Sequence, residues 1–148
     1  MEITIRNASK KDISSILELL YELGRPKPID KNEVKFFEDI VKDYFSDKSK
    51  FILVAESNSK IIGLVSIIFL RRLNRTNFEM YIPELVVRND FRYSGIGKQL
   101  ISECVILAKS KNCYRIRLES ANIRKESHEF YKNLEFEQYG LSFSLNLS

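Results

Sequence analysis

Apolar positions along this chain shift between a helical and an alternating period, and each shift marks a boundary between elements. Residues 2–6 alternate and read as an early strand. Ser9 has the chemistry of a helix cap, with Asp12 three residues on. Residues 10–23 then carry Ile13, Ile16, Leu17, Leu20 and Leu23 at helical spacing, and Gly24 stops the run. Two prolines make 25–28 a loop. Asp30 caps a second amphipathic helix whose apolar face includes Val34, Phe37, Ile40, Val41 and Phe45.

Beyond residue 48 the period falls to two. Residues 51–56 and 60–70 are apolar, β-branched runs joined by Ser57-Asn58-Ser59, the pattern of a hairpin. A basic turn at 71–76 leads to a third strand at 78–87, interrupted by Pro83. Proline cannot donate to a sheet ladder, so this position predicts a bulge or a place where pairing stops. A helix over 96–111 follows, with Leu100, Ile101, Val105 and Ala108 facing inward. A strand at 114–119, a helix at 125–134 and strands at 136–139 and 141–147 complete the pattern. The order β-α-α-β-β-β-α-β-α-β-β predicts an α+β chain with a mixed, mostly antiparallel central sheet and flanking helices.

Composition narrows the class. The 148 residues fit one domain spanning 1–148, and 44% hydrophobic with 30% charged residues excludes a disordered chain. The longest apolar run, 61–70, contains Gly63 and Ser66 and is too short to cross a bilayer, so no membrane partner is expected. The N-terminus opens on an alternating pattern and carries no secretory signature. Two cysteines, Cys104 and Cys113, cannot make a disulfide framework, which points to a reduced, cytoplasmic setting. The net charge of +4 suits nucleic acid, anionic lipid or a polyphosphate ligand, and equally an ordinary solvated surface.

Where the charge sits matters more than its sum. In residues 84–100 a buried strand leads into a short loop holding Arg92, Gly95 and Gly97, and a helix starts at once. Glycines let backbone N–H groups approach a phosphate, and the helix dipole adds partial positive charge. Arg92 and Lys98 supply formal charge, with Arg88 near in sequence. An ordinary strand-to-helix turn has the same glycines. The spacing is not that of a nucleotide P-loop, nor of a dinucleotide fingerprint, which needs a third glycine three residues later.

Arg92-Tyr93-Ser94-Gly95-Ile96-Gly97 resembles the R/Q-x-x-G-x-G/A motif of the GNAT acetyltransferases, preceded by Leu85-Val86-Val87 as in that family. A second stretch, Ser120-Ala121-Asn122 followed by residues 128–136, resembles the family's S-x-N and F-Y-x-x-x-G-F pattern. The resemblance covers nearly the whole chain. It implies a GNAT fold whose acetyl-CoA cleft opens between two splayed parallel strands. It implies that Leu85 and Val87 offer backbone groups to the thioester and pantetheine arm, with Leu85 or Val86 N–H polarising the thioester carbonyl. Arg92, Tyr93, Ser94, Gly95, Ile96, Gly97 and Lys98 would cradle the pyrophosphate, and Asn122 would bond the cofactor arm. Two departures stand out: Glu135 replaces a common glycine, so the turn there must be made differently, and Ser127-His128 replaces a small pair.

Acyl transfer from a thioester needs a neutral amine, a polarised carbonyl and a proton for the leaving thiolate. Glu84 is the expected general base, directly or through a water; a structural carboxylate at a bulge, or a contact to a cationic acceptor, are the competing readings. Tyr131 is the expected general acid, against a core aromatic. Nothing at His128 has metal-ligand spacing, and no metal is expected. Neither cysteine has a nucleophile's partners. Arg71, Arg72 and Arg75 read as a solvated turn, or as a cleft wall. The acceptor site would be built from 21–35 and 71–80. Leu20 to Gly24 followed by a proline resembles a bacterial small-molecule subgroup, and Glu22, Asp30, Glu33, Glu38 and Asp39 would attract an aminoglycoside or a polyamine, although most of them face solvent. A CoA-binding regulatory module without catalysis is the alternative. A nucleic-acid partner is not expected, because much of the positive charge gathers at the cofactor loop. The alternation of Leu141, Phe143, Leu145 and Leu147 provides either core or the face of a homodimer.

Overall fold

The computed structural model describes residues 2–121 and 124–148; Asn122, the expected contact for the cofactor arm, lies outside the described residues. The chain divides into two compact units, Met1–Arg117 and Leu118–Ser148. In the first, a sheet runs in the order β1 (Thr4–Asn7), β2 (Lys50–Ser57), β3 (Lys60–Leu70), β4 (Glu79–Ile82) and β6 (Arg115–Leu118), and β5 (Leu85–Val87) also pairs with β3. The pairs β1/β2, β2/β3, β3/β4 and β3/β5 are antiparallel. The β2–β3 hairpin turns on Asn58 and Ser59, both with positive φ, as a two-residue loop of this hand requires.

β3 is buried along nearly its whole length, which is why its sequence reads as a continuous apolar run. Helices α1 (Ile13–Glu22) and α2 (Lys31–Ser46) supply Ile13, Ile16, Leu17, Leu19 and Val41 to a core with Ile52, Val54, Leu64 and Val86. Helix α3 (Ile96–Ser110) takes the other face. Gly63 carries no side chain because a Cβ there would lie 3.3 Å from both Ile96 Cγ2 and Leu100 Cδ1 and 3.2 Å from the Val86 carbonyl oxygen. The first turn of α3 is thereby seated directly on the central strand.

Local chemistry sets the element ends. Asp12 accepts from the Ser9 N–H at 2.8 Å and receives both Arg6 guanidinium nitrogens at 2.8 and 3.0 Å, tying β1 to the turn that enters α1. Asp30 caps α2 through the Glu33 N–H at 2.8 Å. The expected apolar face of α2 is partly revised: Val41 is buried and Phe37 and Phe45 pack on the core, but Val34 and Ile40 are exposed, and Tyr44 packs where the pattern had counted no apolar residue.

Three helices end in the same left-handed turn. Gly24 closes α1, Asn112 closes α3 and Glu135 closes α4 (Lys125–Asn133), all with positive φ. In each, the next N–H reaches back five residues, as Phe136 does to the Tyr131 carbonyl at 3.0 Å. The expectation that Glu135 must turn the chain differently is therefore corrected: the glycine geometry is kept, at the strain a side chain imposes. The strands expected at 136–139 and 141–147 are absent. No strand pairing is made by that segment among the described residues, and Leu141, Phe143, Leu145 and Leu147 are exposed.

Candidate active site

Pro83 interrupts pairing where the sequence says it should. Opposite Ile68 and Val65 of β3 stand Tyr81 and Leu85, so four steps on one side answer three on the other. The extra residue makes a bulge. Within it the Glu84 carbonyl accepts from the Ser66 N–H at 2.9 Å, while the Glu84 N–H donates to the Ser66 hydroxyl oxygen at 3.0 Å. The Ser66 hydroxyl in turn donates to Glu84 Oε1 at 2.9 Å. Among the described residues Oε2 has only a long contact, 3.4 Å, to the half-exposed Arg25, which also donates to the Pro83 carbonyl.

Glu84 and Ser66 stand at the edge of an apolar cavity of about 90 Å³ lined by Ile16, Leu20, Ile40, Val41, Tyr44, Ile52 and Leu64. Ile40 has its role here, on the cavity wall. Burial, reinforced by the charge of Glu84 and by Tyr81, pushes the Tyr44 phenol up to about 12, so it stays a donor at neutral pH.

Past the bulge, the Ser66 N–H to Glu84 and the Arg88 N–H to the Ile62 carbonyl (2.8 Å) fix which residues of β5 bond to β3. Antiparallel ladders alternate, so Val86 also turns its backbone toward β3, while Leu85 and Val87 direct N–H and C=O to the opposite edge. That edge has no strand pairing among the described residues, because β6 pairs with β4.

The loop after β5 is held from one side. Arg88 donates to the Ile61 carbonyl at 2.8 Å and pairs with Glu18 at 3.4 Å and Glu22 at 4.0 Å, and Glu22 also takes the Asn89 N–H. Arg88 thus anchors the loop to α1 and is not a spare cation. Tyr93 and Gly95 have φ of 63° and 85°, Ser94 donates to the Phe91 carbonyl, and Gly95 is the N-cap of α3. The first intrahelical bond runs from the Gln99 N–H to the Gly95 carbonyl at 3.0 Å, so the N–H groups of Ile96, Gly97 and Lys98 are the orphan donors of a helix start. Nothing lies within 4 Å of where a Gly95 Cβ would be. Arg92 and Lys98 are exposed, and neither side chain is in an ion pair among the described residues.

In the Leu118–Ser148 unit, Tyr131 meets Phe130 edge-on (5.2 Å) and Phe136 at a tilt (5.6 Å). Burial pushes its phenol up to about 12, against the opposing charge of Arg124. The Ser120 hydroxyl is buried without a hydrogen-bond partner among the described residues, and His128 bonds the Ala121 carbonyl through Nε2 at 2.8 Å.

Sequence reasoning missed one cluster. Glu79 is fully buried, and its Oε1 accepts from Arg72 at 3.0 Å and Arg117 at 3.1 Å. Its Oε2 accepts from the Tyr114 hydroxyl at 3.1 Å and from Arg115. Burial alone would raise this carboxyl, but the guanidiniums of Arg115 and Arg117 outweigh it and hold it down to about 2. Arg71 lies 3.9 Å over the Phe78 ring and Arg75 4.0 Å over Tyr114, so the basic turn is not simply solvated. Alternation of Arg115 and Arg117 with Ile116 and Leu118 was the available signal: two arginines on one face of a strand need an anion.

An acidic side chain at a bulge, a strand edge without strand pairing among the described residues and an open helix start follow one another along the chain on an α+β fold. The sequence model of the acetyltransferase (GNAT) family matches residues 16–136, and the chain belongs to that family. It is an acetyl-CoA-dependent N-acyltransferase, with acetyl-CoA as the acyl donor. It is 26% identical to a glucosamine 6-phosphate N-acetyltransferase of Trypanosoma brucei brucei over 148 residues, covering 99% of this chain and 97% of that one. An aminoalkylphosphonate N-acetyltransferase of Salmonella typhimurium is 26% identical over 142 residues, 95% of this chain and 88% of its own. A solved structure from Bacillus halodurans C-125, described as a transcriptional regulator, superposes with a TM-score of 0.91 at 24% identity, over 99% of this chain and 100% of that one, a likeness that shows the fold alone. Relatives in a trypanosome as well as a bacterium leave the expected bacterial subgroup open.

Proposed function

We propose that the chain transfers the acetyl group directly to a primary amine of a small molecule, with Glu84 and Tyr131 as base and acid. The observation that carries this reading is the continuity of the Glu84 bulge, the β5 edge and the α3 start in one unit. The helix amides of Ile96, Gly97 and Lys98, with Arg92, take the pyrophosphate. Tyr93 and Ser94 shape the turn, and Gly95 leaves the space open. Leu85 and Val87 pair with the pantetheine arm across the unpaired edge, and Val86 packs beneath. Asn122 is assigned to the same arm by the family motif.

Glu84 suits a base because, among the described residues, Oε2 has only its long contact to Arg25. An incoming ammonium competes for that oxygen and can leave a proton there or on a bridging water. Tyr131 suits the acid because a phenol held near 12 is protonated throughout the working range. Its match in acidity to a thiol near ~8.5 is poor, so the proton moves as sulfur leaves, not before. The family match crosses from one compact unit to the other, which supports reading 1–148 as one domain. Aminoglycosides and polyamines are the acceptors the acidic helix positions suggest; glucosamine 6-phosphate and aminoalkylphosphonates are those of its relatives. Two free cysteines support a reducing, cytoplasmic setting. No helix among the described residues is long and apolar enough to cross a membrane. The unpaired, exposed Leu141, Phe143, Leu145 and Leu147 support a homodimer through this segment.

Calorimetry with acetyl-CoA, CoA and ATP tests the reading. Selective binding of the two CoA species, lost in Gly95→Val, is the expected result; equal binding of ATP, or an unaffected variant, overturns the loop assignment. Tyr131→Phe is expected to lower kcat by about 10²-fold with acetyl-CoA affinity unchanged.

A further inference from the structure

The basic turn between β3 and β4 is ordered by its own contacts. Arg71 stacks on Phe78 and donates to the Thr76 carbonyl at 2.6 Å, Arg72 bonds Glu79, and Arg75 stacks on Tyr114. Arg115 and Arg117 join them from β6. Three of these five guanidiniums share the Glu79 carboxylate, so one negative charge meets several positive ones. Arg71 and Arg75 have no carboxylate partner among the described residues. Beside them lies a cavity of about 390 Å³ lined by Asn74, Arg75, Thr76, Asn77 and Tyr114. Its walls offer amide, hydroxyl and guanidinium donors. Stacking holds the guanidinium of Arg75 in place while leaving its N–H edge to a ligand, the arrangement that suits a tetrahedral oxyanion.

Tyr114, in the cavity wall, bonds Glu79, and register connects Glu79 to Glu84. Leu70, Ile68 and Ser66 alternate onto one face of β3 and stand opposite Glu79, Tyr81 and Glu84. The three side chains therefore share that face, and the Arg117 guanidinium lies 4.5 Å over the Tyr81 ring between the two ends. From Leu70 to Ser66 the strand advances about 13 Å.

We propose that this cavity, with Arg75 in its wall, is the anion subsite of the acceptor, which is an amine carrying a phosphate or phosphonate group. The inference rests on the acyltransferase reading above and narrows its acceptor: a polycation such as a polyamine is repelled here, whereas a phosphorylated amine is drawn across the sheet face toward Glu84.

Two measurements test it. With the CoA loop saturated by CoA, titration with inorganic phosphate should show saturable binding that weakens at least ten-fold in Arg75→Gln. No saturable binding, or equal binding in the variant, overturns the subsite. In the second, glucosamine and glucosamine 6-phosphate are compared as acceptors. A preference in kcat/KM of ten-fold or more for the phosphorylated amine, reduced in Arg75→Gln and Arg71→Gln, is expected; equal use, or use of neither, overturns the acceptor assignment. Failure to bind acetyl-CoA would instead remove the parent reading, and the phosphate titration of wild type against Arg75→Gln would still decide the anion site.

Discussion

Glu79 and Glu84 lie on one strand path, on one face, and do opposite work. Glu79 is wholly buried, and both its oxygens are filled by three arginines and a tyrosine. Glu84 gives one oxygen to a serine hydroxyl and leaves the other to a distant, half-exposed arginine at the mouth of an apolar cavity. The first is a fixed charge that locks β4 to β6 and to the basic turn. The second keeps one oxygen lightly engaged, as the proposed base requires. What separates the two carboxylates is how many donors each has already committed, together with the deeper burial of Glu79.

Removing the charge should break the two sites differently. Glu79→Gln leaves three guanidiniums facing a buried neutral amide and should cost about 3 kcal/mol of stability. Glu84→Gln keeps an acceptor for Ser66 and should cost less than about 1 kcal/mol. Urea denaturation of both variants compares them directly; equal losses would mean that Glu84 is as structural as Glu79.

Acid sharpens the contrast. The Glu79 carboxyl is held down to about 2 from an ordinary 4.5, so the folded state binds its proton less readily than the unfolded state. Its contribution is complete above about 4.5 and fades as pH falls toward 2, on the order of 3 kcal/mol in all. Asp12, lowered by its hydrogen bonds to Arg6, acts with the same sign, so the expected signature is a difference. Wild-type stability should fall more steeply between pH 5 and pH 3 than that of Glu79→Gln, and parallel curves would detach Glu79 from acid lability.

On the catalytic side the order reverses. Glu84→Gln should lower kcat/KM by about 10²-fold, most at low pH, where the amine is hardest to deprotonate. A uniform loss across pH, expressed in KM, would make Glu84 an acceptor contact. Glu79→Gln at permissive temperature should leave acetyl-CoA affinity unchanged.

Local features carried most of this in the sequence. Pro83 announced the bulge, Ser57-Asn58-Ser59 the hairpin and Gly95 the helix start, because each follows from what one residue's backbone can do. The Glu79 cluster was opaque, since its members come from three segments and only the sheet order brings them together. Arg88 looked like a phosphate ligand by proximity in sequence, yet Glu18 and Glu22 of α1 claim it. Strand alternation at 141–147 states what a segment could pair, not that a partner exists. Glu135 shows the limit of a residue preference: the hydrogen bonds of the turn persist without glycine.

Ser66 offers the finest cut, because its hydroxyl both donates to Glu84 Oε1 and accepts from the Glu84 N–H. Ser66→Ala removes two hydrogen bonds at a part-buried bulge without touching any charge. The stability loss should be about 1 kcal/mol, with the bulge kept by the Ser66 N–H bond to the Glu84 carbonyl. The larger consequence should be in rate: a carboxylate released from its serine swings toward Arg25, and the base loses its alignment on the amine. A several-fold fall in kcat with KM for acetyl-CoA unchanged is expected, partly restored in Ser66→Thr, which keeps the hydroxyl. Full activity in Ser66→Ala would show that Glu84 needs no positioning by Ser66.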